Sequence, residues 1–143
     1  MELAITDFHI DRFAKFYDEK TIVTFLENGL VEWGLLTKDI KTLLNAKNAL
    51  GEPYTYVCLP LSKNNVTLEN EEVLDEKGSY VNFYIGNKVV LVPNYKDPND
   101  KIANNIIQKL YHGRKVVGID VRTLYQHNGM IHCVTQQQPV SLK

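Results

Sequence analysis

No run of apolar residues in this chain approaches the roughly 20 residues needed to cross a bilayer, so a membrane partner is not expected. Neither sign of charge dominates: 16 lysines and arginines face 17 acids, a formal net charge of −1. The basic residues, among them Lys15, Lys20, Lys38, Lys41 and Lys88, are scattered. Without a basic stripe or tail, nucleic acid is not an expected partner either. The N-terminus lacks a basic stretch followed by an apolar one, which predicts no secretory leader. Cysteine is scarce, with only Cys58 and Cys133 far apart in the chain. That pattern predicts neither a disulfide framework nor a zinc cluster, and it fits a reduced, cytoplasmic protein. Glycine and proline, at 8 and 5 residues, are too few for a fibrous or low-complexity chain.

What is present is ordinary globular material. The 143 residues are 44% hydrophobic and 23% charged, with eight tyrosines and five phenylalanines. One domain spanning residues 1–143 is expected. Phe8, Ile10, Ala14 and Phe16 alternate with His9, Asp11 and Lys15, which predicts a strand, although Phe13 and Phe16 also sit at helical spacing. Asp18-Glu-Lys20 reads as a turn, and β-branched Thr21 to Leu26 as the returning strand of a hairpin. A helix is expected from about Lys38 to Ala49, started by Thr37 or Asp39 and ended at Gly51-Glu-Pro53. Trp33 would pack near its start. Tyr54 to Leu59 reads as a strand. Leu61 to Lys77 has weak periodicity and many asparagines and acids, including Glu69, Glu71, Glu72, Asp75 and Glu76, and is expected to be a long exposed connection.

The order then repeats. Tyr80 to Ile85 and Lys88 to Val92 read as strands joined at Gly86-Asn87. Asp97-Pro98 opens a helix to about Tyr111 with Ile102, Ile106 and Leu110 on one face. Val116 to Ile119 is the next strand, Asp120 to Tyr125 a helical turn, and Met130 to Thr135 a last strand. The halves therefore share the order strand, strand, helix, strand: one unit at about residues 6–60, a connection at about 61–78, and a second unit at about 79–139. Repeated units cover each other's faces, and two leave an edge that wants a partner.

Chemistry concentrates at the two ends. Cys133, between His132 and a run of Gln136, Gln137 and Gln138, is a candidate nucleophile; the alternative is a buried structural cysteine. On a strand His132 would face away from Cys133, which argues against it as that thiol's base. His9 and Asp11, two apart, would share a strand face, either as a functional pair or as plain surface residues. His112 and His127 fall in loops and Cys58 in an apolar strand, where it reads as core. Gly113, Gly118 and Gly129 fit no phosphate loop, so no nucleotide cofactor is expected.

Ile131-His-Cys-Val-Thr-Gln-Gln-Gln-Pro139 closely resembles the nucleophile motif of the agmatine deiminases, which group with the bacterial-type peptidylarginine deiminases. Val117-Gly-Ile-Asp120, Ser79-Tyr-Val-Asn-Phe83, Val90 to Pro93, and Thr6-Asp-Phe-His-Ile-Asp11 with Ala14 and Phe16 resemble further motifs of that family in the same order. The resemblance implies an α+β fold, part of the five-module pentein propeller, with about two of its strand–strand–helix–strand modules here. It implies Cys133 as nucleophile on a guanidinium carbon, His9 as general acid and base, and Asp11 as guanidinium ligand, converging at one edge. No cofactor and no metal are implied. The substrate would be a small guanidine such as agmatine, with arginine or peptidyl-arginine as alternatives. Two further carboxylates of the family pattern have no counterpart here, which implies a homo-oligomer or a complementing N-terminal half; a non-catalytic binding or structural module is the other alternative. His127 and Asn128 stand where small glycines are usual, and Phe8 is larger than the usual residue.

Overall fold

The computed structural model describes residues 9–140. A short 3₁₀ turn (Ile10–Arg12) leads into β1 (Lys15–Phe16), β2 (Thr21–Phe25), α1 (Glu27–Glu32), α2 (Thr37–Leu44) and β3 (Thr55–Leu59). A hairpin follows, β4 (Leu61–Thr67) and β5 (Val73–Ser79). The chain then forms β6 (Tyr84–Ile85), β7 (Val89–Asn94), α3 (Asn99–Leu110), β8 (Lys115–Asp120), α4 (Arg122–Gln126) and a second 3₁₀ turn (His132–Val134).

The repeated order is present in the topology. In the first unit β1 pairs antiparallel with β2, and β2 parallel with β3. In the second, β6 pairs antiparallel with β7, and β7 parallel with β8. Both three-stranded sheets therefore run hairpin first, then a helical crossover to a parallel strand, as parallel pairing requires. Residues 22–25 of β2 are all buried, because helices and the other unit cover both faces. The units meet through aromatics: Tyr17 stacks edge-on against Tyr111 with centroids 5.1 Å apart and donates its hydroxyl to Leu110 O at 3.1 Å. Phe83 packs against the same Tyr111 at 5.8 Å. The shared core runs from Val23, Phe25 and Leu59 to Val90, Val92 and Ile107.

Several expectations need correction. Residues 61–77 are not an exposed connection but most of a β-hairpin, with Leu61, Val66 and Leu68 buried. Register shifts between Leu61, Asn65 and Thr67 break the period of two that would have revealed the strand. The acids Glu69, Glu71, Glu72, Asp75 and Glu76 are nonetheless solvated, as expected. Helix α1 carries no sequence signal: it has no side-chain cap, and Gly29 weakens its propensity. Packing explains that glycine, since a Cβ there would stand 3.0 Å from Phe25 Cβ. Trp33 ends α1, its ring tilted against that of Phe25 with centroids 5.7 Å apart.

Helix α2 stops at Leu44, short of the expected Ala49, where Asn45 folds its amide back onto Lys41 O at 2.7 Å. Asn48 then organises the turn to Glu52 through the amides of Leu50 and Glu52, with Gly51 at φ +78°. Of the strand expected over 80–85, only Tyr84–Ile85 forms; Tyr80 to Phe83 are wholly buried on every side and leave the ladder.

In the second unit Asp97 accepts the amides of Asn99 (2.9 Å), Lys63 (2.8 Å) and Asn64 (2.9 Å), so one carboxylate starts α3 and ties it to β4. Burial would raise its pKa, but these donors outweigh burial and hold it below the usual carboxylate value. Among the described residues, no helix is long and apolar enough to cross a membrane.

Candidate active site

Among the described residues, neither segment that carries the site is a strand. His9 precedes the first 3₁₀ turn and Asp11 lies inside it, so the spacing of two does not place them on one strand face. His132 and Cys133 lie in the second 3₁₀ turn, where successive side chains diverge by about 120° rather than to opposite faces. The strand premise against His132 therefore fails.

Asp11, His132 and Cys133 converge around a residue that the sequence reading left without a role. Asn82 is fully buried in the irregular segment between β5 and β6. Its Nδ2 donates to Asp11 Oδ2 at 3.0 Å and to Asp11 O at 3.2 Å. Its Oδ1 accepts the backbone N–H of His132 at 2.9 Å, and the Cys133 thiol lies 3.7 Å from the same oxygen. These partners fix which end of the amide is which.

His132 Nδ1 stands 2.7 Å from Asp11 Oδ2. A carboxylate can only accept here, so Nδ1 carries the proton and Nε2 is left as the outward nitrogen. Asp11 Oδ2 is thus committed to Asn82 and His132. Cys133 is exposed, which sets aside the buried structural cysteine. Cys58, by contrast, is half-buried in β3, and desolvation pushes its thiol pKa up.

Lys15 on β1 completes the surroundings. Its Nζ donates to Phe83 O and lies over the Phe83 ring, 4.6 Å from the centroid. Burial lowers its pKa to about 8, against the opposing pull of the charges on Asp11 and Cys133. A polar residue inside each of the apolar stretches Phe13–Tyr17 and Tyr80–Ile85 was the available signal for Lys15 and Asn82.

His9 is exposed; its carbonyl accepts Arg12 N at 3.0 Å, and its imidazole bonds no described residue. The motif residues Thr6, Asp7 and Phe8 lie outside the described residues. Asn128 takes φ +60°, a left-handed conformation that asparagine tolerates well, so the loop before Ile131 keeps a glycine-like shape without glycine there. Arg12 donates to Asn128 O, tying that loop to the first 3₁₀ turn. His112 and His127 are exposed and away from these contacts. Among the described residues, no group of three or more His, Cys, Asp or Glu side chains could hold a metal.

Two ββαβ units with an exposed thiol beside a carboxylate–imidazole pair define a cysteine-centred α+β class. The chain belongs to the Porphyromonas-type peptidyl-arginine deiminase family, whose model matches residues 1–139. It is similar to a curated agmatine deiminase-type sequence of Listeria monocytogenes, 46% identical over 61 residues, covering 43% of this chain and 16% of that one. The agmatine deiminase structure of Enterococcus faecalis aligns over 92% of this chain and 40% of its own, with TM-score 0.76 and 26% identity. The C. jejuni agmatine deiminase structure aligns over 94% of this chain and 40% of its own, with TM-score 0.71 and 29% identity. The fold is thus related to the agmatine deiminase fold, and the chain spans about two fifths of those structures.

Proposed function

We propose that this chain carries the nucleophile-bearing part of a guanidine-hydrolysing site, of the kind named in its agmatine deiminase relatives, built on about two modules of a pentein propeller. The observation that carries the proposal is the gathering of Asp11, His132 and Cys133 about one buried amide, with the thiol exposed.

In this reading the Cys133 thiolate attacks the guanidinium carbon. His9 gives a proton to the departing nitrogen, which leaves as ammonia, and the carbon remains bound to sulfur as a thiouronium-type intermediate. Water, losing a proton to His9, adds to that carbon; the carbon–sulfur bond then breaks and releases the ureido product and the thiol. With agmatine the product is N-carbamoylputrescine. Asp11 offers the incoming guanidinium Oδ1, which bonds no described residue, as a charge-assisted acceptor.

A guanidinium has donors on several sides, and one carboxylate oxygen satisfies few of them. The remaining acidic groups come, in this proposal, from a partner chain or a complementing N-terminal half. Without them the chain is expected to turn over weakly or not at all, because electrostatic stabilisation is usually the largest catalytic contribution.

The test measures ammonia and carbamoylputrescine from agmatine, for the chain alone and for the chain co-expressed with the N-terminal part of a long relative. Turnover in the second case, abolished by Cys133→Ala, is the expected result. Turnover that survives Cys133→Ala overturns the nucleophile assignment. Absence of turnover in every combination, including arginine and peptidyl-arginine as substrates, favours a non-catalytic module.

A further inference from the structure

The second unit has a recess that its neighbour fills, and the first unit has the same recess unfilled. In the second unit it lies between Ile85, Arg114 and the end of α3 at Leu110 and Tyr111. Tyr17 of the first unit packs there, edge-on to Tyr111 and bonded to Leu110 O. The register locates the corresponding place in the first unit. Phe16 pairs with Ile22 as Ile85 pairs with Val90, at the turn end of each hairpin. Tyr54 precedes β3 as Arg114 precedes β8. Between Phe16, Tyr54 and the end of α2 lies an apolar cleft, and every residue lining it belongs to the first unit.

The rim of that cleft says what covers it. Phe16 and Leu36 line it and are exposed, so the surface carries projections beside its own recess. Apolar groups exposed around a recess mark an association surface. Asp39, in the first turn of α2, and Lys47, just beyond its end, give the same rim one charge of each sign. Both are exposed, and among the described residues neither forms an ion pair. A patch that holds both the projection and the recess, and both signs of charge, is complementary to itself under a twofold rotation.

We propose that two copies of this chain pair through this cleft about a twofold axis, with Phe16 and Leu36 of each copy seated in the cleft of the other and Asp39 facing the partner's Lys47. The aromatic insertion that joins the two units within one chain is thereby repeated between chains. The pairing requires nothing of the chemistry at Cys133, so a failed activity assay leaves it standing. A patch of this size is at the small end of specific interfaces, and dissociation in the micromolar range is expected.

The experiment is sedimentation velocity of the full chain over a micromolar concentration series, for wild type, Leu36→Glu, Asp39→Lys, Lys47→Asp and the control Ile102→Glu. Ile102 is an exposed apolar residue on α3, outside the cleft. Wild type and Ile102→Glu should dimerise alike. Leu36→Glu should abolish pairing, because it sends a charge into an apolar recess. Asp39→Lys and Lys47→Asp should each weaken it about tenfold, since each creates two like-charge contacts of individually modest strength. An equal mixture of those two variants should recover wild-type association, because opposite charges then meet at both contacts. If Asp39→Lys disturbs the start of α2, Leu36→Glu decides. A wild type that stays monomeric throughout overturns the proposal, and so does a dimer that Leu36→Glu leaves intact. Folded charge variants that fail to recover on mixing overturn the twofold arrangement.

Discussion

The two units share one topology but close their interiors differently. In the second unit a single 12-residue helix, α3, buries Ala103 and Ile107 against its sheet. It is locked by Asp97 and Asp100 at its start and by the Asn94–Asn104 amide pair at its middle. In the first unit two short helices do this work, and α2 buries only Ile40. An apolar cleft of about 660 Å³ stays open beside it, lined by Ile10, Phe13, Phe16, Leu36 and Leu43. Phe16 and Leu36 are 64% and 60% exposed. Identical strand order therefore does not ensure an equally complete core; the covering helix decides it.

The largest contrast should come from one register position. Thr24 pairs with Cys58 in the first sheet, as Val92 pairs with Gly118 in the second. A Cβ at Gly118 would collide with the Asn94 and Asn104 amides. Gly118→Ala should cost about 2–3 kcal/mol by urea denaturation, the scale of overpacking. Cys58→Ala, in the looser unit, should cost only about 1 kcal/mol, the scale of one buried methylene-sized group. Equal losses would erase the distinction between the units.

Lys15 tests the seam. Its pKa is about 8 when folded and 10.5 ordinarily, so the unfolded chain holds the proton more tightly. The desolvation penalty is fully present below pH 8 and is relieved as pH rises from 8 towards 10.5. Lys15→Met should thus stabilise the chain by about 1–2 kcal/mol at pH 6, after the lost contacts with Phe83 are offset, and by less at pH 10. Denaturation at both values checks the sign.

Asp97→Asn should cost about 1 kcal/mol at neutral pH, as loss of a helix-start carboxylate does. Its folded carboxyl pKa is depressed, so the stabilisation is present above the unfolded value of 3.8 and fades as pH falls through the lower folded one. The difference between variant and wild type should therefore shrink in acid. Smallest of all, Phe16→Ser and Leu36→Ser should each change the stability of the chain alone by less than about 0.5 kcal/mol, as exposed positions do. A larger loss would place the cleft inside the chain's own core.

Much of this architecture was legible in the sequence because periodicity and turn chemistry survive where one face is buried. Helix α3, the β6–β7 turn and the strand order of both units follow that rule. The hairpin at 61–79 escaped it because its register shifts scramble the alternation. The segment Tyr80–Phe83 escaped it because burial on all sides leaves no polar face to mark. At the site, Cys133 and Asp11 stood out by residue type and by family resemblance. Asn82 showed only as a polar residue inside an apolar stretch, and its partners come from positions 11 and 132, which folding alone brings to it. The premise that set His132 on the opposite face from Cys133 does not hold, because a 3₁₀ turn forms there in place of a strand.

The most direct measurement is site-resolved mass spectrometry of the wild-type chain after brief exposure to 2-chloroacetamidine, alongside Asp11→Asn. The proposal under test is that the Asp11 carboxylate draws a planar cation to the Cys133 thiol. The expected result is labelling of Cys133 well ahead of Cys58, and a sharp loss of that labelling in Asp11→Asn while iodoacetamide labelling is kept. Equal labelling of Cys133 by both reagents, unchanged in Asp11→Asn, would contradict it.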